Sequence, residues 1–203
     1  MKSSNSLFTY LAGAIEHASS KQMISWRDEF KEKLVHPSLL VYDPVAQEAD
    51  KVGKPSGQQV DYIKGLKQAG HWTHFFNEMW KIWFSKINKT GDFIDVFRAI
   101  RNNKHLYGTT LEQLKEFGDY EAVLRCDFMI CYYPKDVKTV GTIYEVVIAF
   151  LFGIPIYLIL PDSTKTEINS SLLFGVMLSK GEIFYSINDC VKHIQHTYNL
   201  ITE

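Results

Sequence analysis

The sequence predicts an α/β domain built on a mainly parallel sheet of five strands with helices on both faces. Three observations carry that prediction. Short apolar runs recur at 7–12, 39–42, 128–133, 154–160 and 183–185. The longer of them are apolar at nearly every position instead of alternating, as expected of strands covered on both faces. Segments with helical periodicity separate them, the order that gives parallel pairing through crossover helices. The expected architecture is therefore a Rossmann-like (flavodoxin-like) three-layer fold, with a helical insertion between strands 2 and 3.

Each element has a local reason. The run 7–12 ends at Gly13, a strand followed by a tight turn. Met23, Trp26, Phe30 and Leu34 then recur at helical spacing among charged residues. The second strand, 39–42, stops at Asp43-Pro44. Residues 45–66 are polar and carry Gly53, Pro55, Ser56 and Gly57, which predicts an exposed loop. Trp72, Phe75, Phe76, Met79, Trp80 and Trp83 mark an amphipathic helix, its stripe read as core instead of a ligand platform. A helix follows at 93–101. Residues 111–117 and 120–124 read as helical, interrupted at Gly118-Asp119. Pro134 ends the strand at 128–133. A helix is expected at 142–152, another near 170–178, and a last one with Ile187, Val191, Ile194 and Tyr198 on one face.

The bulk properties narrow the partners. At 203 residues the chain makes one domain, 1–203, with an insertion at about 45–110. It is 46% apolar and 22% charged with a formal net charge of −1. That balance offers no long-range attraction to a nucleic acid polymer or an anionic membrane, so a small molecule is the expected partner. Residues 146–161 carry no charge, yet the stretch is shorter than the roughly 20 residues a membrane helix needs, and Gly153 and Pro155 interrupt it. Cys126, Cys131 and Cys190 show no C-x-x-C spacing and read as buried free thiols in a reducing cytoplasm. The polar first residues do not have the build of a secretory signal.

In parallel sheets, ligands sit at the carboxyl ends of the strands. Three segments are expected to converge there: 13–17, 134–145, and the turn before Asp127. Glu145 is the most informative side chain, a lone carboxylate one turn into an otherwise apolar helix, costly unless paired or functional. A bland alternative stands beside it, because Thr142-x-x-Glu145 matches a capping box. Asp119 has helix capping as its bland alternative, and for Asp127 the hydrogen-bonded fixing of a loop is the favoured reading of the residue itself. The pairs His71/His74 and His193/His196 lack a further ligand at metal spacing, and no metal or cofactor is expected. There is no phosphate-binding P-loop and no G-x-G-x-x-G.

Taken together these residues resemble the nucleoside 2-deoxyribosyltransferase family, which includes the 2′-deoxynucleoside 5′-phosphate N-hydrolases. Tyr10-Leu11-Ala12-Gly13-Ala14-Ile15 is similar to the family's first strand and turn, and Trp26-Arg27 to a Trp-Arg pair in its next helix. Asp119, Asp127 eight residues on, an apolar strand, then Gly141-x-x-x-Glu145 before an apolar helix resemble its central signature. The likeness covers about 10–20 and about 117–195. It implies Glu145 as the nucleophile that forms a covalent glycosyl-enzyme and Asp119 as the acid that protonates the departing base. It places Tyr10, Gly13 and Tyr144 along the sugar, with Ala14, Asp127, Gly141 and Thr142 as further substrate contacts. Thr139, six residues before the nucleophile, stands where transferases have an Asp for the 5′-hydroxyl and hydrolases a Ser for a 5′-phosphate. A neutral hydroxyl near a helix N-terminus, with Lys135 or Lys138 nearby, suits phosphate. Ser170 matches a polar residue that relatives lend to a neighbouring subunit, which implies a homodimer or larger assembly.

Two departures bear on the substrate. Ala14 replaces a phosphate-binding Ser, and Glu16 replaces a basic residue in the same turn. The expected activity is cleavage or transfer at the N-glycosidic bond of a nucleoside 5′-monophosphate or nucleoside, with nucleotide hydrolysis ahead of transfer. Two alternatives are a phosphoribohydrolase of the cytokinin-activating type, whose Pro-Gly-Gly is missing here, and a nucleotide-sensing module that binds without turnover.

Overall fold

Strands β1 (Leu7–Gly13), β2 (Leu39–Tyr42), β3 (Phe128–Tyr132), β4 (Ile156–Ile159) and β5 (Glu182–Phe184) form one sheet in the order β2-β1-β3-β4-β5. Every neighbouring pair is parallel. The fold is thus Rossmann-like, seen in a computed structural model that describes residues 6–15, 18–87, 92–105, 110–134, 137, 140–161 and 170–200. The order reverses direction between β1 and β3, which opens a crevice at their carboxyl ends.

The two-residue period of the strands divides the core. Leu11, Phe128, Ile130 and Ile159 face α1 (Ser20–Lys33) and α10 (Ile187–Thr197), meeting Trp26, Phe30, Val191 and Ile194. Tyr10, Ala12, Met129, Cys131 and Leu158 form the core of the opposite face, with α7 (Asp119–Arg125), α8 (Val140–Leu151) and α9 (Ser170–Leu178). Cys126, Cys131 and Cys190 are free and buried. Among the described residues no helix is long and apolar enough to cross a membrane.

The largest departure from expectation lies between β2 and β3. Residues 45–66 are not an exposed loop. They form α2 (Pro44–Val52) and the start of α3 (Gln58–Gln68). The signals are local: Asp43 caps the first turn by accepting from the Val45 amide, Pro44 fits the first helical position, and Gly53 closes α2 at φ 64°. Each helix then buries a few side chains, Val45 and Ala49 on α2 and Gln59, Val60 and Leu66 on α3. Composition masked this because both helices are short and mostly polar.

Next come α4 (Trp72–Trp83) and α5 (Phe93–Asn102), at the expected places. The aromatic stripe of α4 is not simply core: Trp72 is 56% and Phe76 65% exposed, while Glu78 and Ile82 are buried. Glu78 reaches that position by pairing with Lys81 at 2.8 Å. The helical stretch expected at 111–117 shortens to α6 (Leu111–Leu114), capped by Thr110 and Gln113. Then α7 begins at Asp119.

Candidate active site

Two stacked tyrosines organise the crevice. The register of β1 on β2 sets Tyr10 beside Tyr42, and in-register neighbours on parallel strands point to the same face. Their rings stack at 5.4 Å between centroids, both fully buried. Each hydroxyl reaches one of the two acids. Tyr10 donates to Glu145 Oε1 at 2.6 Å, and Tyr42 Oη lies 3.1 Å from Asp119 Oδ1 and 2.9 Å from the Phe117 carbonyl oxygen. The carboxyls of Glu145 and Asp119 are therefore brought together, one from α8 and one from α7, over adjacent strands.

Neither bland reading of these acids survives the geometry. Helix α8 starts at Val140, so Thr142 lies inside it, buried, and the Glu145 carboxylate engages Tyr10. Gly118 is the capping residue of α7, and Asp119 follows as its first helical residue. Gly118 is needed there: a Cβ would come 2.4 Å from the Trp83 carbonyl oxygen at the end of α4. That packing sets where α7 begins and so where Asp119 sits.

Burial governs the electrostatics. Glu145 is 9% and Asp119 1% exposed. Desolvation pushes the Glu145 carboxyl up to about 8, opposed by the Tyr10 hydrogen bond, raised further by the Asp119 charge and lowered by Arg27. Asp119 is also raised by burial, with Lys51 and Tyr42 pulling the other way. Tyr10 is pushed well up, so it remains a hydrogen-bond donor.

The insertion supplies residues that sequence reasoning missed. Lys51, in the last turn of α2, donates to Tyr42 Oη at 2.8 Å and lies 3.6 Å from Asp119 Oδ1. Glu48, half-buried on the same helix, is pushed well above the carboxylate range by burial and by the charges of Asp119 and Glu145, with Lys51 pulling the other way. The i, i+3 spacing of Glu48 and Lys51 was the available signal, unusable while the segment read as a loop. Arg27, on α1 and already marked by the Trp26-Arg27 pair in the sequence, also bears on the site. Fully buried, it bonds the carbonyls of Met23 and Gly13, the latter at 3.2 Å, and its guanidinium lies 4.5 Å from the Trp26 ring centroid. Trp26 in turn stacks on Tyr132 at 4.9 Å. Gly13 is required at this spot because a Cβ would lie 2.7 Å from Trp26 Cζ2.

The remaining expected contacts divide. Gly13 and buried Ala14 stand at the carboxyl end of β1. Gly141 and Tyr144 are exposed on the first turns of α8, close enough for Tyr144 to influence Tyr120. Ser170 opens α9 and lines a cavity of about 540 Å³ with Val146, Val147 and Phe150 of α8 and Phe174 and Gly175 of α9. Thr139, Lys135, Lys138 and Glu16 lie outside the described residues.

Asp127 and the turn before it require correction. They lie at the amino end of β3, opposite the crevice. Asp127 Oδ2 accepts from the Phe8 amide at 3.0 Å, its own amide donates to the Phe8 carbonyl at 2.8 Å, and Oδ1 pairs with Lys104 at 2.7 Å. The residue fixes the loop entering β3 and does not join the acids. Helix α7 runs back from the carboxyl end of the sheet to its amino end, so Asp119 and Asp127, eight residues apart, lie at its two ends. Among the described residues no group of three or more His, Cys, Asp or Glu is placed to hold a metal ion.

No protein-family model matches the chain, and no curated protein matches it in sequence.

Proposed function

We propose that this protein cleaves or transfers at the N-glycosidic bond of a nucleoside 5′-monophosphate or nucleoside, with Glu145 as nucleophile and Asp119 as acid, as its resemblance to the nucleoside 2-deoxyribosyltransferase family implies. The observation that carries the reading is the pair of buried carboxyls held by stacked Tyr10 and Tyr42 at the β1/β3 crevice. Glycosidic cleavage passes through an oxocarbenium-like state, which calls for an anion below the ring and a proton donor at the leaving group. In the first step a Glu145 oxygen attacks C1′ while the C1′–N bond breaks. The bonding pair leaves on the base nitrogen, which takes the proton from Asp119. In the second step water gives a proton to the Asp119 carboxylate and attacks C1′, freeing Glu145. A second base in place of water gives transfer.

Burial raises both carboxyls, which suits Asp119 as an acid and works against the anion the nucleophile needs at Glu145. The Tyr10 hydrogen bond and Arg27 favour that anion. Incubation with a panel of nucleoside monophosphates and nucleosides, followed by chromatography for free base, tests the reading. Base release from at least one compound is expected, from monophosphates ahead of nucleosides, and a second base in the mixture separates transfer from hydrolysis. Saturable binding with no base release after prolonged incubation would overturn the enzymatic reading in favour of a sensing module.

The assembly implied by Ser170 belongs to the same proposal. Tyr144, Val147 and Leu151 of α8 and Phe174, Met177 and Leu178 of α9 are all exposed beside the cavity Ser170 lines. Apart from Glu145 neither helix contains a charged residue, so a second copy is the occupant this face suits. Light scattering is expected to give a dimer or larger species, reduced to monomer by Phe174→Glu. A monomeric wild-type protein at micromolar concentration would remove this part. The three free, buried thiols fit a reducing cytoplasm.

A further inference from the structure

We propose that Lys51 sets the protonation state of Asp119, which makes α2 a working part of the site. The inference rests on reading Asp119 as the acid of the proposed reaction, and it assigns a positioning role to a segment outside the family resemblance. The geometry is specific. The Lys51 side chain is 9% exposed and that of Asp119 2%. The Lys51 Nζ donors are directed at Tyr42 Oη (2.8 Å) and the Ile82 carbonyl (3.3 Å), and Nζ stands 3.6 Å from Asp119 Oδ1. The Ile82 carbonyl belongs to α4, so the insertion holds both ends of this contact: α2 carries the amine and α4 aims it. A lysine buried in such a place is costly unless it is paired, and the pair it makes is with the candidate acid.

The other charges around Asp119 leave Lys51 as the local cation. Tyr42, on β2, shares its hydroxyl with the pair, and Tyr10, on β1, carries the other acid. Glu145 on α8 and Glu48 on α2 are acids, and their charges oppose ionisation of their neighbours. Tyr120 is pushed well up and stays neutral. From α4, Glu78 is closed in its pair with Lys81. From α5, Arg101 reaches only the far end of α7, at the carbonyls of Leu124 and Cys126. Arg27 acts on Glu145 from below β1. An acid that must lose a proton to the base and regain it from water in each turnover needs its two forms close in free energy. Burial favours the neutral form and Lys51 the anion, so the pair balances them.

The test compares the full-length wild type with Lys51→Met and Lys51→Arg, using two readouts. In protein labelled with carbon-13 at aspartate carboxyls, the Asp119 titration is expected to move upward by about one pH unit or more in Lys51→Met and to stay near wild type in Lys51→Arg. The pH profile of base release is expected to move in the same direction in Lys51→Met, with the Arg variant restoring it. If Lys51→Met does not fold, Lys51→Gln keeps a donor for Tyr42 and carries the same expectation. An Asp119 titration unchanged by loss of the charge overturns the role of Lys51, whatever the activity. A moved titration in a protein that releases no base keeps Lys51 as the group that sets Asp119 and overturns the glycosidic reading alone.

Discussion

Asp119 and Asp127 lie eight residues apart, at opposite ends of α7, and their surroundings could hardly differ more. At the amino end of the sheet, Asp127 keeps a quarter of its side chain in water, pairs with Lys104 and caps the strand entry by bonding the Phe8 amide. At the carboxyl end, Asp119 is buried with Glu145 and Glu48 for company, and all three carboxyls are pushed up. The same residue type thus serves as a structural tie at one end and, in the proposed reaction, as a proton carrier at the other. Solvent access and the balance of nearby cations make the difference.

The contrast can be broken most directly at the proposed nucleophile. Glu145→Gln keeps the shape and the Tyr10 contact but removes the anion, and base release is expected to fall on the order of 10³-fold or more with the circular dichroism spectrum unchanged. Turnover at wild-type rate would end that assignment. Asp119→Asn is expected to lower kcat by roughly 10²-fold or more, least for substrates whose base leaves readily without a proton. Equal losses across good and poor leaving groups would argue against an acid at this position.

Stability sharpens the same comparison. The Glu145 carboxyl holds its proton to about pH 8 when folded, against an ordinary value of 4.5. Between those values the folded state retains a proton that the unfolded chain has lost. Wild-type stability should therefore fall as pH rises through that window and level off above it. Glu145→Gln removes this dependence, so its thermal midpoint is expected to exceed that of wild type at alkaline pH, by a few kcal/mol of stability at most, and to match it at pH near 4. A wild-type midpoint that rises from acid to alkaline pH would contradict the crowded-acid picture.

Gly118→Ala tests how the insertion positions Asp119. The added methyl meets the α4 backbone, so a loss of about 1–3 kcal/mol is expected together with a drop in kcat. Asp127→Asn is the counterpart at the quiet end: a loss of about 1–2 kcal/mol in denaturant melts with kcat unchanged. A kcat effect there as large as that of Asp119→Asn would show that the two ends are not functionally separate.

The strands were legible because β1, β3 and β4 must be apolar along their whole length to lie between helices, and α1, α4, α5 and α10 because their spacing repeats. Glu145 stood out for a related reason, an acid in an otherwise oily helix. The helices α2 and α3 were not legible, since most of their side chains meet water and only a few positions on each face inward. Asp127's loop-fixing role, the favoured reading of the residue itself, is what its bonds to Phe8 show, whereas its expected place in the crevice failed because spacing along the chain does not say which end of a sheet a residue reaches.

Local pattern therefore settled the layers, the covered sheet and the identity of one conspicuous acid, since each follows from burial and periodicity within a short segment. The partnership of Tyr10 with Glu145 and of Tyr42 with Asp119, and the arrival of Lys51 between them, depended on strand register and on how α2 and α4 pack. Those contacts join residues up to 135 positions apart. Their energies come from desolvation and charge at close range, which exist only once the chain has brought the groups together.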